Sequence, residues 1–258
     1  MNRSAPLDLK QFRASKHDHY LCQVKTVAWL NPTVVQVHLV APLDFPQYQA
    51  GQYIEVVLAD GTSRPFSIAN FNPDYRYLEL HIEANPGSQT TRAILDQLRD
   101  TQQITVKSAK GDVCLTSPAS PQVFLAAGSG FSQIKALIQQ LIACQPQGST
   151  QTPLSTDCYL LWGTETPEQR YMIDLIRVWL SLYPTLNYRP LSWQQGQRWE
   201  SALAPLMDRL VDAQFYLCGS PNRVYTALDF LELQGIDETQ MHSDVLSYAP
   251  RPLRQHRG

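Results

Sequence analysis

Two glycine-containing turns carry the strongest chemical signal in the sequence. Gly128-Ser129-Gly130 follows the apolar run Val123–Ala127, and Gly219-Ser220-Pro221 follows the run Gln214–Cys218. Glycines at the carboxyl end of a strand let a ligand approach the backbone closely, and the N-terminus of the next helix attracts phosphate. Either turn alone could be an ordinary strand-to-helix connection, because no third glycine completes a G-x-G-x-x-G fingerprint. Two such turns at one edge of a parallel sheet predict a nucleotide site.

Two further groups of residues could take part in chemistry. They are Arg64-Pro65-Phe66-Ser67, which follows an Asp60-Gly61 turn, and Cys218. An arginine guanidinium pairs with phosphate, and a serine hydroxyl hydrogen-bonds a heterocycle nitrogen. The structural alternatives are a strand beginning after a hairpin and, for Cys218, a small buried apolar residue. The six histidines are scattered, and we assign none of them a catalytic role.

The N-terminal part of the chain has the period-two alternation that is typical of β-strands. Turn residues such as Asn31-Pro32 and Lys110-Gly111 separate its apolar runs, and one segment, Thr91–Asp100, has a helical pattern. Many short strands with one helix predict a small closed barrel. The runs are Tyr20–Leu30, Val34–Val40, Tyr53–Leu58, Tyr77–Ile82 and Ile104–Val106.

After Pro118 the pattern changes to strand, turn and helix in repeated order. The first glycine turn leads into the amphipathic segment Phe131–Cys144, and the segment Gln145–Thr156 has the polar, proline-containing composition of an exposed loop. This order predicts a parallel sheet with right-handed crossovers. The later runs are Cys158–Trp162, Pro167–Tyr183, Leu186–Leu191, Gln214–Cys218 and Asn222–Gln234.

Composition excludes several classes of protein. The 258 residues include 21 Lys+Arg and 23 Asp+Glu, a formal charge of −2, so bulk charge does not draw the chain to nucleic acid or anionic lipid. With 43% hydrophobic and 17% charged residues, the chain can bury a substantial core. Five cysteines without a C-x-x-C pair argue against a disulfide framework, a zinc finger or a plant-type iron–sulfur cluster. We find neither a signal peptide nor an apolar stretch of about 18 residues, and therefore expect a cytoplasmic protein without a membrane span.

Six motifs follow one another along nearly the whole chain: Gly51-Gln52-Tyr53, Arg64-Pro65-Phe66-Ser67-Ile68-Ala69, Leu80-His81-Ile82, Ala127–Ser132, Leu161-Trp162-Gly163 and Tyr216–Pro221. Five of them resemble the G-Q-Y/F, R-x-Y/F-S, A-G-G-T-G-F/I-S/A, W/Y-G and Y-x-C-G-P-P motifs of the ferredoxin–NADP⁺ reductase-like superfamily, and the third resembles the strand that follows its flavin motif. Each motif is a weak or moderate signal by itself, whereas six in the same order are a strong one. Within that superfamily the sequence most resembles the bacterial NAD(P)H–flavin reductases.

The resemblance implies a fold, cofactors and a reaction. A six-stranded antiparallel Greek-key β-barrel at residues 17–117 would hold the flavin, and a parallel-sheet α/β domain at residues 118–250 would hold NAD(P)H, followed by a basic tail at residues 251–258. The implied cofactors are a flavin, FAD or FMN, either bound or as substrate, and NADH or NADPH. The implied enzyme is an oxidoreductase that transfers hydride from NAD(P)H to the flavin, after which the reduced flavin leaves or passes electrons onward.

For the flavin, the resemblance implies Arg64 at the phosphate or ribityl chain, Phe66 along the isoalloxazine and Ser67 hydrogen-bonded near N5. Pro86-Gly87 through Thr91 resembles the P-G-G-x-x-S turn that holds a pyrophosphate, but Ser88 stands where the second glycine is usual. The sequence therefore leaves open whether the flavin is prosthetic or a substrate. The same motifs and the C-terminal aromatic end add Pro65, His81, Ile82 and Tyr248, although Tyr248 could equally be a core strand residue.

For the nicotinamide nucleotide, the resemblance implies that both glycine turns line it and that Cys218 lies by its ring. Glu165 can accept a hydrogen bond from a ribose 2′-hydroxyl and repels a 2′-phosphate, which favours NADH. Arg170 is near enough to reverse this preference, and Glu165 could also be an exposed loop residue. The turn residues expected at the nucleotide are Gly128, Ser129, Gly130, Phe131, Ser132, Gly219, Ser220 and Pro221.

We therefore expect Ser67 and Cys218 to be the catalytic residues of a flavin reductase, and two other functions stay open. One is an FAD-containing reductase that supplies a separate ferredoxin, haem protein or oxygenase. The other is a non-catalytic regulatory or assembly module that has kept the fold. Besides the two nucleotides and a possible electron-acceptor protein, we expect no partner, no bound metal and, by default, a monomer.

Overall fold

Alternating apolar side chains build the first sheet, which is antiparallel and has the strand order β4-β3-β6-β1-β2-β5. The computed structural model describes residues 18–84, 87–117, 119–144, 156–249 and 251. Inward-facing residues of the six strands form one core cluster together with Ile94, Leu95 and Leu98 of the single helix. The elements are β1 (His19–Asn31), β2 (Val34–Val40), β3 (Tyr53–Val57), β4 (Ser63–Ser67), β5 (Tyr77–Glu83), α1 (Gln89–Asp100) and β6 (Gln103–Lys107).

The two edge strands of this sheet, β4 and β5, meet at one end only. Ile68, just after β4, forms an isolated antiparallel bridge with Leu80 of β5. The next amide, that of Ala69, donates a 2.7 Å hydrogen bond to the carbonyl of Glu79. The predicted six-stranded antiparallel sheet is therefore confirmed, while its closure is limited to this bridge, directly beside Ser67.

The second sheet is parallel and has the order β11-β10-β7-β8-β9, with helices between its strands. This confirms the predicted α/β half. Its elements are β7 (Gln122–Ala127), α2 (Phe131–Ala143), β8 (Cys158–Thr164), α3 (Ile173–Leu182), β9 (Leu186–Ser192), α4 (Trp199–Leu203), β10 (Gln214–Cys218), α5 (Pro221–Leu233), β11 (Met241–His242) and α6 (Val245–Tyr248).

Both faces of the parallel sheet are buried, which explains its continuous apolar runs. In β7, Val123 and Leu125 pack into one core cluster, whereas Phe124 and Ala126 pack into the cluster on the opposite face. The second cluster also contains Val34 from the antiparallel half, together with Ala50 and Val113. The two halves of the chain therefore share apolar core, with α2 between them.

Helix α3 begins later than the sequence predicts. The expected helical segment started at Pro167, but the structure has a short 3₁₀ turn at Pro167–Gln169 and α3 only from Ile173. Met172 has a φ of 54°, and a left-handed residue cannot continue a right-handed helix. The short elements α4, β11 and α6 were not predicted, because two to five residues are too few to show a period.

Some sequence predictions concern residues outside the described ranges. They include Pro86, Pro118, positions 145–155 of the polar loop and the tail from position 252. Among the residues that the structure describes, none of the helices combines the length and apolar character needed to cross a bilayer.

Candidate active site between the two sheets

The two glycine turns lie side by side at the carboxyl edge of the parallel sheet. Strand β10 pairs with β7 so that Cys218 is opposite Ala126, which places the turns after both strands at the same edge. A Cβ atom on Gly130 would lie only 2.5 Å from the carbonyl oxygen of Cys218 and 3.1 Å from its Sγ. Glycine is therefore needed at this position for the first turn to pack against Cys218.

A cavity at this edge, called the larger cavity below, has a volume of about 610 Å³ and lies between the sheets. One wall comes from β4 and β5 of the antiparallel sheet, and the other from the two glycine turns and the end of β8. Its surface is polar and apolar in about equal parts. It brings together most of the residues expected at the nicotinamide nucleotide with Pro65, Phe66, Ser67 and His81, which were expected at the flavin. The predicted residues that line it are Pro65, Phe66, Ser67, His81, Gly128, Ser129, Gly130, Ser132, Glu165, Cys218, Gly219 and Ser220.

The smaller cavity has a volume of about 290 Å³ and lies between β3, β4 and the C-terminal segment 243–248. Its lining is mostly apolar with a few polar groups at the edge, the usual character of a small-molecule site. Tyr248 lies here on α6 with 65% of its surface exposed. The alternative of a core strand residue is therefore wrong for Tyr248.

Ser67 and Cys218 line both cavities, so the two cavities adjoin at these residues. The Ser67 hydroxyl has no hydrogen-bond partner among the described residues, so it is available to a ligand. Burial, with a smaller contribution from Asp244, raises the pKa of the Cys218 thiol to about 12. Cys218 is therefore protonated at neutral pH, and the site has no thiolate nucleophile at this position.

Asp244 is a site residue that the sequence analysis missed. It lines the smaller cavity, and its Oδ2 accepts a 2.6 Å hydrogen bond from the side chain of Gln133. The same Gln133 nitrogen donates to the carbonyl of Gly51 at 2.6 Å. Burial raises the pKa of Asp244 to about 6, with Asp112 as a further cause and the Gln133 bond opposing it. This carboxyl can therefore hold or release a proton near neutral pH.

His81 belongs to a buried charged network that spans the two sheets. Its Nε2 is 2.8 Å from Glu79 Oε1, and its Nδ1 is 3.2 Å from the Tyr171 hydroxyl. Lys135, on α2, donates to Glu79 Oε2 at 2.7 Å and to the carbonyl of Ala69 at 2.8 Å. Burial by itself would raise the pKa of Glu79, but hydrogen bonds and the Lys135 charge outweigh it and lower that pKa to about 2. The network fixes the position of the wall that His81 contributes.

Of the two charged residues Glu165 and Arg170, only Glu165 lines the larger cavity. Its Oε2 is 3.7 Å from the guanidinium of Arg223, a residue that the sequence analysis did not single out. Arg170 instead donates to the carbonyl of Leu191 at 3.1 Å and to the Thr164 hydroxyl at 3.4 Å. The expectation that Arg170 could offset Glu165 at the ligand is therefore not supported, and Arg223 is the cation beside Glu165.

Several predicted site residues lie away from both cavities. The side chains of Ile82 and Phe131 are fully buried, the first in the core of the antiparallel sheet and the second stacked at 4.0 Å on Trp162. Pro221 begins α5 and supports the second turn without lining either cavity. Gly87, Thr91 and Arg64 lie near the start of α1, where Arg64 Nη2 is 3.5 Å from the Thr90 hydroxyl and Ser88 caps the helix through the Thr91 amide.

Other lining residues came from segments with no motif. Glu83, at the end of β5, accepts a 2.8 Å hydrogen bond from the Ser129 hydroxyl across the larger cavity. Trp193, after β9, packs against Gly163, where a Cβ atom would lie 1.8 Å from the indole ring. The motif Trp162-Gly163 contains the glycine that this contact requires, but nothing in the sequence indicated that Trp193 packs against it.

Comparison with known proteins agrees with this arrangement. Residues 124–228 match the model of the oxidoreductase NAD-binding domain. The chain is 26% identical over 213 residues to the terephthalate 1,2-dioxygenase reductase component 2 of Comamonas sp, covering 79% of this chain and 61% of that protein. It is 27% identical over 239 residues to a probable flavin reductase of Photobacterium leiognathi, covering 88% of this chain and 98% of that protein.

Solved structures show the same fold at lower identity. A cytochrome P450 reductase of Amycolatopsis superposes with a TM-score of 0.74 at 20% identity, covering 87% of this chain and 68% of that one. The ferredoxin–NADP⁺ reductase of Plasmodium falciparum superposes with a TM-score of 0.71 at 15% identity, covering 87% of this chain and 95% of that one. Residues 124–228 thus match an oxidoreductase NAD-binding domain, and the chain shares the fold of a ferredoxin–NADP⁺ reductase and sequence similarity with a probable bacterial flavin reductase.

Proposed function

We propose that this protein is an oxidoreductase that transfers hydride from NAD(P)H to a flavin, so that NAD(P)H, flavin and one proton give NAD(P)⁺ and reduced flavin. The observation that carries the proposal is that the two cavities adjoin, with Ser67 and Cys218 lining both. Ligands in two adjoining cavities can be held in contact, which replaces a random encounter by a fixed orientation. When bound, the nicotinamide supplies the hydride and the flavin accepts it, a chemistry that side chains alone do not provide.

The residues of the larger cavity fit a nicotinamide nucleotide. Gly128–Gly130 precedes α2, and Ser220 precedes α5, so two helix N-termini open toward the cavity and favour phosphate. The protonated thiol of Cys218 offers an uncharged surface at the inner end, where a nicotinamide ring would lie. Glu165 and Arg223 stand at the outer end, on the side of the adenosine ribose.

The residues of the smaller cavity fit the ring system of a flavin. Tyr53, Leu217 and Val245 supply apolar surface, and Tyr248 can cover the ring from the solvent side. The free hydroxyl of Ser67 can donate a hydrogen bond to a ring nitrogen and so hold the flavin edge where the two cavities adjoin.

The flavin side chain would run from this cavity toward the start of α1. Arg64 is exposed there and within 3.5 Å of the Thr90 hydroxyl, and a guanidinium of this kind suits a phosphate. Ser88 already satisfies the amide of Thr91. We propose that Arg64 and the first turn of α1, including Gly87 and Thr91, hold the phosphate of FMN or FAD.

Asp244 would exchange the proton that the reaction consumes. It lines the cavity proposed for the flavin, and its pKa of about 6 means that a minor but usable fraction is protonated at neutral pH. The hydrogen bond from Gln133 holds the carboxyl in place. No other carboxyl among the described residues that line the smaller cavity has a raised pKa.

Free flavin is the acceptor that we propose first. The chain matches the probable flavin reductase of Photobacterium leiognathi over 98% of that protein, whereas it spans only 61% of the terephthalate dioxygenase reductase. A reductase for a separate electron-acceptor protein is the second candidate, supported by the similarity to that oxygenase component. We also propose a cytoplasmic location, because all five cysteines are free thiols, as a reducing compartment keeps them.

The central experiment is stopped-flow oxidation of NADH and NADPH with FMN, FAD or riboflavin as acceptor. Oxidation that requires added flavin, by protein that is colourless after dialysis, supports the flavin reductase. Protein that stays yellow after dialysis supports the second candidate. Absence of oxidation with every combination would leave a non-catalytic module and refute the proposal.

Ser67→Ala tests the role of Ser67 where the two cavities adjoin. Removing one positioned hydrogen bond should lower the rate of hydride transfer about tenfold or more, while the affinity for NADH stays nearly unchanged. Ser181→Ala, which removes an exposed hydroxyl bonded to the carbonyl of Val178 on α3, is the matched control and should behave as wild type. Equal activity of Ser67→Ala and wild type would remove Ser67 from the mechanism.

A further inference from the structure

We propose that a clasp between α5 and the C-terminal segment holds α6 in place and so sets how firmly Tyr248 covers the smaller cavity. The clasp consists of Tyr225, Asp229 and Glu232 on α5, together with Ala249 and Arg251. The inference rests on the proposed function, in which the smaller cavity takes the flavin ring. It adds the residues that govern how fast the flavin enters and leaves.

Helix α6 is too short to hold its own position. It is a single turn of four residues, and an isolated turn is unstable in water because its few hydrogen bonds do not offset the cost of ordering the backbone. Val245, at its beginning, is only 2% exposed and belongs to the core cluster on α5. Tyr248, at its end, is largely exposed and buries little surface of its own. The end of α6 therefore depends on contacts made just after it.

One face of α5 provides these contacts. Tyr225, Asp229 and Glu232 follow one another at intervals of four and three residues, so they lie along the same face of the helix. Tyr225 is only 6% exposed, and its hydroxyl donates a 2.6 Å hydrogen bond to the carbonyl of Ala249. Ala249 directly follows Tyr248, so this bond fixes the backbone at the point where the exposed ring leaves it.

Arg251 provides the second attachment, and it is the first residue of the basic tail. Its Nη2 donates to Asp229 Oδ1 and, at 2.7 Å, to Glu232 Oε1. Its guanidinium carbon is 5.8 Å from the centre of the Tyr225 ring, within the range of a cation–π contact. The three charged side chains are partly exposed, so dissolved salt screens their attraction. The strength of the clasp should therefore depend on ionic strength.

The clasp acts on the smaller cavity through α6. Asp244, Val245 and Tyr248 line this cavity, whereas Tyr225 and Arg251, both within the described ranges, do not. The two clasp residues are therefore positioning residues. While the clasp is closed, Tyr248 stays at the cavity and slows the departure of a flavin ring. When the clasp opens, α6 loses the attachment at its end, and the cavity opens to solvent.

Hydrogen exchange followed by mass spectrometry tests the clasp in the flavin-free protein. Arg251→Gln and Tyr225→Phe should each make residues 244–249 exchange about fivefold faster, the effect of losing one partly exposed attachment, and leave α2 unchanged. Raising NaCl from about 0.05 M to about 1 M should accelerate this exchange in wild type but have little effect in Arg251→Gln. Arg177→Gln is the matched control, because Arg177 forms an exposed ion pair with Asp174 on α3.

Riboflavin tests the link between the clasp and the cavity. It lacks a phosphate, so Arg64, which we propose to hold that group, does not affect the comparison. Stopped-flow flavin fluorescence should show riboflavin dissociating about fivefold faster from Arg251→Gln and Tyr225→Phe than from wild type. In turnover, the KM for riboflavin should rise about fivefold, while kcat and the KM for NADH stay within about twofold.

The outcomes separate this inference from the proposed function. Exchange at the wild-type rate in both variants, with NADH still oxidised, would overturn the clasp and leave the oxidoreductase intact. Faster exchange with unchanged riboflavin dissociation would overturn the link between α6 and the cavity. Faster exchange with faster dissociation, but without oxidation of either nucleotide by wild type, would support the clasp and refute the oxidoreductase. A wild type that neither binds riboflavin nor oxidises a nucleotide would overturn both.

Discussion

Replacing Asp244 by asparagine should change how the stability of this protein depends on pH. Asp244 is a partly buried carboxyl whose pKa rises from 3.8 to about 6, chiefly because of burial. Asparagine has nearly the same shape, and its side-chain oxygen can still accept the hydrogen bond from Gln133. The substitution therefore removes the ionisation of this residue while it retains the local packing.

The direction of the effect follows from the raised pKa. Below pH 3.8 the carboxyl is protonated in both the folded and the unfolded chain, and it places no penalty on folding. Between pH 3.8 and about 6 the unfolded chain loses this proton first, so stability falls as the pH rises. Each pKa unit is worth about 1.4 kcal/mol, so above pH 6 the ionised Asp244 lowers the free energy of unfolding by about 3 kcal/mol.

Urea unfolding, followed by tryptophan fluorescence from pH 3.5 to pH 8, measures this difference. We expect the free energy of unfolding of Asp244→Asn minus that of wild type to increase by about 3 kcal/mol across that range. Other titrating groups, including Glu79 and His242, are common to both proteins and cancel in the subtraction. Asp174→Asn, on the exposed side of α3, should follow the wild-type curve.

A difference that stays constant within about 0.5 kcal/mol from pH 3.5 to pH 8 would refute the reasoning, because it would mean that Asp244 ionises as easily in the folded protein as in the unfolded chain. It would also remove the basis for Asp244 as the proton source. Flavin reduction gives an independent readout. If Asp244 supplies the proton, Asp244→Asn should abolish the pH dependence of the rate near pH 6, and a wild-type profile in the variant would exclude that role.

Two further substitutions test the packing around the site. Gly130→Ala should destabilise the protein by about 1–3 kcal/mol and reduce NAD(P)H oxidation, because its Cβ atom would lie 2.5 Å from the Cys218 carbonyl oxygen. Thermal unfolding together with steady-state rates checks this, and wild-type values for both would contradict it. Lys135→Met should cost about 3–5 kcal/mol, because it leaves Glu79 buried without its cation. Adding Glu79→Gln should restore part of the loss in urea unfolding, and a single variant as stable as wild type would show that the pair is not needed.

The two halves of the fold could be read from the sequence, because local side-chain periodicity reports which faces of an element are buried. The alternation in Val34–Val40 predicted a strand of the antiparallel half, and the continuous apolar run Val123–Ala127 predicted a buried strand of the parallel sheet. Both are found. The glycine turns were also readable, since a strand followed by glycines and a helix is a local pattern. The late start of α3 could not be predicted, because nothing in the sequence requires Met172 to adopt a left-handed backbone conformation.

The sequence identified only some of the residues of the site. Ser67, Cys218 and the two glycine turns lie in motifs, and the structure brings them to one edge. Asp244 lies in no motif, and it reaches Gln133 only because the short strand β11 pairs beside β10 at the edge of the sheet.

The charged residues at the nucleotide site were likewise identified only in part from the sequence. From the sequence, Arg170 was the cation expected to offset the charge of Glu165. In the folded chain Arg170 is bonded to the Leu191 carbonyl, and Arg223, 58 residues after Glu165, takes its place. The sequence by itself determined the types and order of the elements and the residues of the turns, because these depend on neighbours along the chain. Only the tertiary structure decided which distant charges meet, because that depends on the order of strands in the sheet.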